Sequence, residues 1–315
     1  MSVDLARHRP LYPLDAAPNL PCQEELMSKI GISVAMLSPF DDAGALDTGR
    51  LAAHAVNLLK AGVHGVTLYG TTGEGPSINA QERAQGLSAV LDAGVPANVV
   101  TLGIYANSVA DAVAQIKQGY SAGIRSFLVP PPFYFPQTSD DGLFAWFSEL
   151  IEATDADADI ILYHIPQVTN VPLSANLVGR LLKAYPDRIR AVKDSSANWP
   201  TTEAFMGVEG LPVLVGDERL LHRAVALGGV GSICGCSNLY PERLVKIFKT
   251  AEEDVELNRI ITAIVSLPVM PALKALMEQA TGDAAWGRLR APLEPLTAEQ
   301  AEGLLKTVAA EPVDG

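Results

Sequence analysis

The chain is poor in the residues that would mark a secreted, metal-binding or nucleic-acid-binding protein. Three cysteines occur in 315 residues: Cys22, Cys234 and Cys236. An odd number, two of them one residue apart, excludes a disulfide framework and fits a reducing cytoplasm. Without a further cysteine or a nearby histidine, the same pair makes a poor zinc site. The five histidines, His8, His54, His64, His164 and His222, are scattered without the spacing of metal ligands. Neither a metal nor a cofactor is expected. Positive charge is scarce too: 23 Lys and Arg stand against 36 Asp and Glu, for a formal charge of −13. No basic block appears, which argues against nucleic acid and anionic membrane as partners. No run of 18 apolar residues suggests a membrane span. The start, "MSVDLARHRPLYPLDAAPNLPC", lacks the apolar segment of a secretory signal. No low-complexity tract and no interdomain linker interrupts the rest.

What is present is rhythm. The chain is 48% hydrophobic, ample for a large core, and is longer than a typical domain unless the fold is a big α/β barrel. Residues 1–29 read as a proline-containing extension. From residue 30, short apolar runs alternate with amphipathic stretches. The runs cover 32–37, 65–70, 98–104, 126–130, 160–166, 189–194, 212–217 and 229–234. Helical patterns cover 50–62, 79–94, 108–123, 141–154, 174–185, 199–207, 218–229 and 241–254, the second with a capping box from Asn79 to Glu82. Eight alternating units predict parallel strands, and eight closes a (β/α)8 TIM barrel. The barrel is expected over 30–255. A C-terminal helical region, 256–315, is expected to pack on it with three further helices, over 257–282, 283–293 and 297–310. A doubly wound sheet is the alternative, but no Gly-x-Gly-x-x-Gly follows a first strand. "GTTGEG" (70–75) lacks the lysine of a P-loop. Its glycines and two hydroxyls suit a smaller anion such as a carboxylate.

In a barrel, the C-terminal strand ends converge on one face. Here they carry "YGTTGE", "PPPFYF", "YHIP", Lys193, the Gly216-Asp217-Glu218 segment and "SICGCSN". Two readings of Lys193 stand. It is a solvated strand end, or it is buried so that the ammonium form is disfavoured and the amine attacks a carbonyl. Strand alternation puts Ile189, Ala191 and Lys193 on one face, and the clustering of reactive side chains at one mouth favours the second reading. Tyr163, one strand over, can pass protons, or it is an aromatic core residue. Tyr134 is functional or packs on the rim. Thr71 and Thr72 hold an anion or satisfy their turn. Asp217 binds substrate or caps the next helix. Gly216, Ile233 and Gly235 complete the expected substrate-binding positions, and Thr72 is expected to position the Tyr163 hydroxyl.

Five motifs, "GTTGE" (70–74), "YHIPQVTN" (163–170), "VKDSS" (192–196), "VGD" (215–217) and the glycine-rich eighth strand, resemble the dihydrodipicolinate synthase / N-acetylneuraminate lyase family over residues 30–310. The resemblance implies a Schiff base between Lys193 and pyruvate or a 2-keto substrate, with Tyr163 transferring protons. It implies carboxylate binding by Thr71 and Thr72, and Tyr134 reaching across a subunit interface in a homotetramer built as a dimer of dimers. Synthase members carry an arginine two residues after the strand-five proline, where this chain has Val168. His164 and Asn170 also depart from the common asparagine and glycine. An apolar residue at 168 looks like the sugar-acid lyases and aldolases, since a second carboxylate loses its bidentate partner. The expected activity is cleavage or formation of the C–C bond between pyruvate and an aldehyde. A dehydratase using the same imine and a true synthase are the alternatives.

Overall fold

Polar residues mark where the helices begin. Asp47, Asn79, Ser108, Ser139 and Ser174 each stand in extended backbone and accept a hydrogen bond from the N–H three residues on. Each cap satisfies a donor that the first helical turn leaves unpaired. Asn79 and Glu82 close the capping box read from the sequence. The computed structural model describes residues 30–310. The N-terminal extension, with His8 and Cys22, lies outside the described residues.

The alternation is β1 (Gly31–Ala35), α1 (Thr48–Lys60), β2 (Gly65–Leu68), α2 (Ala80–Asp92), β3 (Val100–Gly103), α3 (Val109–Ser121), β4 (Ser126–Val129) and α4 (Asp140–Glu152). It continues with β5 (Asp159–His164), α5 (Ala175–Ala184), β6 (Ile189–Asp194), α6 (Trp199–Met206), β7 (Val213–Val215), α7 (Leu221–Ala226), β8 (Gly231–Cys234) and α8 (Pro241–Thr250). The strands pair in parallel and in order, and β8 returns to β1 to close the barrel. This is the predicted (β/α)8 TIM barrel. Strand alternation divides the core in two. Ala35, Leu128, Ile161, Tyr163, Ala191, Leu214 and Ile233 fill the barrel interior, while a larger cluster lies between strands and helices.

Three details correct the sequence reading. Ile189 does not share a face with Ala191 and Lys193. The β5–β6 register passes from Ile160↔Ile189 to Ile161↔Ala191, so β6 carries one extra residue there, and Ile189 joins the outer cluster. The eighth helix stops at Thr250, because Ala251 turns left-handed (φ 56°). The C-terminal pattern is also divided differently. Residues 257–282 form two helices, α9 (Val255–Val265) and α10 (Val269–Thr281), bent by 119° around Pro268. Residues 283–293 give a short helical turn, Ala284–Gly287, then extended chain over 288–290 and a second turn closed by the Leu293 N–H donating to the Arg290 carbonyl oxygen, and α11 is Ala298–Ala309. The extended chain lets Arg288 and Arg290 reach Asp42 and Glu82 on the barrel. Among the described residues no single helix is long and apolar enough to cross a membrane. The bent α9–α10 pair passes on length and composition alone.

Candidate active site

The register of β5 and β6 sets the centre. Tyr163 pairs with Lys193, and His164 with Asp194. His164 and Asp194 point away from the interior and anchor their strands. The His164 Nδ1 accepts from the Leu173 N–H at 3.0 Å. Asp194 accepts from the Thr202 hydroxyl at 2.6 Å and from the Ser196 N–H at 2.9 Å. Burial pushes the His164 pKa down, against the pull of Asp194, which favours the neutral ring that this accepted bond requires. With those side chains facing outward, Tyr163 and Lys193 face inward. Lys193 is 4% exposed, and its Nζ lies 4.0 Å from the Tyr163 ring centroid. The structure therefore excludes the solvated strand end.

The loop after β2 brings the next group. Its backbone is left-handed at Tyr69 (φ 57°) and Glu74 (φ 54°), and it packs tightly on β3. A Cβ on Gly75 would sit 2.0 Å from the Tyr69 carbonyl oxygen and 2.9 Å from the Tyr105 ring, so that position takes glycine alone. The loop aims the Thr71 Oγ1 at the Tyr163 hydroxyl, 3.3 Å away. Thr71, not Thr72, thus positions Tyr163. Thr72 turns toward β8, where its Oγ1 would meet a Cβ on Gly235 at 3.3 Å. The Thr71 Oγ1 also lies 3.1 Å from the hydroxyl of Tyr105, which the sequence reading missed. Tyr105 carries one available signal: it is an aromatic just past the C-terminal end of β3, at the same mouth.

The β7 and β8 ends close the other side. A Cβ on Gly216 would overlap the Ser195 hydroxyl at 1.8 Å, so the glycine lets β7 approach the segment that follows Lys193. Asp217 accepts from the Arg219 N–H at 3.0 Å and pairs with its guanidinium, which is the capping arrangement. Ile233 is fully buried in the interior layer. Glu218 is buried, accepts from the Cys236 N–H at 2.7 Å, and has its carboxyl pKa pushed up by that burial. Burial also raises the Cys234 thiol to about 12. Tyr134 is not brought to this cluster within the chain. It is 74% exposed, meets Phe135 edge-on, and makes no hydrogen bond to Thr71 or Tyr163. Val168, 56% exposed, rides on the helical turn Pro166–Thr169. Asn170 ends that turn left-handed (φ 54°), a conformation asparagine tolerates. Among the described residues no group of three or more His, Cys, Asp or Glu side chains is placed to hold a metal ion.

An inward lysine beside a tyrosine whose hydroxyl meets a threonine can form and protonate a carbonyl adduct. The profile of the dihydrodipicolinate synthetase family matches residues 28–311. A DapA-like lyase from Chloroflexus aurantiacus is 33% identical over 283 residues, which cover 87% of this chain and 94% of that protein. The crystal structure of a dihydrodipicolinate synthase from Agrobacterium tumefaciens superposes with a TM-score of 0.86 at 40% identity, covering 89% of this chain and 98% of that one. A 2-keto-3-deoxygluconate aldolase variant from Sulfolobus solfataricus superposes at 0.78 with 25% identity, covering 88% and 94%. With nearly its whole barrel matched, the chain belongs to the dihydrodipicolinate synthetase family of lyases and aldolases.

Proposed function

We propose that the chain is a class I, lysine Schiff-base lyase that joins or parts pyruvate and an aldehyde, with a 2-keto-3-deoxy sugar acid or related hydroxylated 2-keto acid as substrate. The observation that carries this reading is the inward amine of Lys193, 4% exposed and 4.0 Å from the Tyr163 ring. Lys193 Nζ adds to the C2 carbonyl, and Tyr163 gives the proton with which the carbinolamine oxygen leaves as water. The iminium then draws electrons from the C3–C4 bond as the C4 hydroxyl gives up its proton, which releases the aldehyde. The remaining enamine takes a proton at C3, and water hydrolyses the imine to pyruvate. Thr71 and Thr72 receive the keto-acid carboxylate in the turn after β2. Gly216 and Gly235 keep backbone close on either side, and Ile233 forms apolar floor. The exposed trio Phe133, Tyr134 and Phe135 supports burial against a second copy in a homotetramer.

The exposed, apolar Val168 favours a sugar acid over a substrate with a second carboxylate. The 40% identity to the Agrobacterium tumefaciens synthase favours a second reading, condensation of pyruvate with aspartate semialdehyde. A screen for pyruvate release from 2-keto-3-deoxy acids, run beside a coupled condensation assay, separates the two. Turnover of the semialdehyde equal to that of the best sugar acid overturns the substrate assignment. For the imine, pyruvate and borohydride should label Lys193 in peptide mass spectrometry, and Lys193→Arg should stay inactive because guanidinium remains protonated. An adduct at another lysine, or none, overturns the mechanism.

A further inference from the structure

We propose that Gln167 sets the specificity of the mouth for a hydroxylated substrate: its amide, held by the Ser195 carbonyl, binds a hydroxyl that the substrate carries beyond C4. The proposal rests on the Schiff-base reading above and adds what meets the far end of the molecule once its C2 is joined to Lys193. Gln167 stands next to Val168 on the helical turn Pro166–Thr169 that follows β5, and its side chain is exposed. Its Nε2 donates to the Ser195 carbonyl oxygen at 2.6 Å, across to the segment that follows β6.

Both ends of this strap are fixed. Among the described residues, the turn's other hydrogen bonds stay between residues 165 and 171. The Val168 and Thr169 N–H groups donate to the Ile165 carbonyl oxygen at 3.0 Å, and the buried Thr169 hydroxyl lies 3.1 Å from the carbonyl oxygens of Ile165 and Val171. Ser195 is held as closely. Its N–H donates to the His164 carbonyl oxygen at 2.8 Å, and its hydroxyl packs on Gly216, whose Cβ would stand 1.8 Å away. Ser195 comes two residues after Lys193, about 6.5 Å further along the direction of β6. The strap therefore crosses the mouth one layer above the amine, where the far end of a substrate bound at C2 emerges.

The strap also decides which way the amide points. A carbonyl oxygen only accepts, so the amide nitrogen faces Ser195, and the Gln167 Oε1 is left as an acceptor with one N–H beside it. That pair suits a hydroxyl, which donates one hydrogen bond and accepts another. It does not suit a carboxylate, which only accepts and leaves water at a cost unless a cation or several donors receive it. Val168, the next residue, is apolar and 56% exposed, so the turn offers a second carboxylate no charge at either position. With its nitrogen already tied, the amide has little freedom left to lose when a hydroxyl binds. Discrimination at this place thus turns on the hydroxyls of the substrate's far end and not on its length.

The test is condensation of pyruvate with two aldehydes of equal length, glyceraldehyde and propionaldehyde, by the full chain and by Gln167→Met. Methionine keeps the reach of the side chain and removes both amide atoms. The unmodified chain should favour glyceraldehyde. In Gln167→Met the KM for glyceraldehyde should rise about five- to tenfold, the size of one neutral hydrogen bond, with kcat changed far less. The KM for propionaldehyde should move much less, so the preference collapses. Gln167→Glu keeps an acceptor but sets a carboxylate against the Ser195 carbonyl, and it should lose the preference as well because the strap is gone. The thermal midpoint should hold in both variants, since the side chain is exposed; a purely structural role would weaken both aldehydes alike. Equal losses with the two aldehydes, a preference retained in either variant, or no preference in the unmodified chain overturns the role of Gln167 and leaves the imine in place. Pyruvate and borohydride report the imine separately: no adduct at Lys193 in the unmodified chain overturns the Schiff-base reading and this proposal with it.

Discussion

Tyr163 stands between an amine and a hydroxyl, with its ring 4.0 Å from Lys193 Nζ and its oxygen 3.3 Å from Thr71. Its ring also fills the barrel interior beside Ile161 and Ala191. The two roles separate chemically, since packing needs the ring and proton transfer needs the oxygen. Tyr163→Phe should therefore keep the fold and lower turnover by roughly 10²–10⁴, the span of a lost general acid–base. Pyruvate trapping at Lys193 should slow but persist. Unfolding midpoint, trapping rate and turnover, measured together, check this. A folded variant with near-normal turnover would show that another group moves the proton.

At the scale of elements, the barrel seam between β8 and β1 depends on Asn238. Its amide donates to the carbonyl oxygens of Ala35 and Gly235, and its oxygen accepts from the Leu37 N–H at 3.0 Å. That oxygen also meets the His54 Nε2 of α1 at 2.9 Å, so Nε2 carries the proton of this bond. Burial lowers the His54 pKa from 6.5 to about 4, and the Asn238 contact offsets only part of that. The unfolded chain therefore takes up a proton below 6.5 that the native ring refuses until about 4. Stability attributable to His54 is intact above the upper value. It should fall with falling pH by about 1.4 kcal/mol per pH unit inside the window. Urea unfolding from pH 4 to 7 should show this slope. His54→Gln, which can still donate to Asn238 but does not titrate, should reduce the slope by the His54 share and leave that of His64 and His164.

At the scale of the molecule, the C-terminal helices brace the mouth of the barrel. On α10, Leu273 packs against Gly235, and Lys274 pairs with Glu74, the residue that closes the Thr71–Thr72 turn. Both charged side chains are fully buried. Lys274 also donates to the Arg288 carbonyl oxygen, and Glu74 accepts from the Arg290 N–H at 3.0 Å. Burial pushes the Lys274 pKa down, and Glu74 partly restores it. Removing one partner strands the other charge. Lys274→Met should cost about 3–5 kcal/mol in denaturant unfolding, and it should raise the KM for the keto acid as the turn loosens. Lys274→Met/Glu74→Gln should recover much of the stability. If the single variant unfolds like the unmodified chain, α10 is not the brace.

The order of residues by itself determined the eightfold alternation, the capping box at Asn79, and the placing of Lys193, Tyr163 and Thr71 at one mouth. Those features follow from short-range causes: strand period, apolar stripe, capping side chains and the convergence of parallel strand ends. Lys193 was legible because inward direction follows from alternation. Ile189, two residues earlier, was not, because a bulge is set by pairing with β5. The choice of Thr71 over Thr72 was decided by left-handed backbone at Tyr69 and Glu74 and by the close approach of Tyr69 to Gly103 of β3. Neighbouring hydroxyls of one turn look alike in sequence and diverge only once its path is fixed. Tyr105 belongs to the same class. It follows a strand in an irregular loop, with no periodic pattern to orient it, and only the grip of Gln115 and the space at Gly75 turn its hydroxyl to Thr71. The division of the C-terminal region was likewise decided at a distance, where Arg288 and Arg290 gain partners on the barrel only as extended chain.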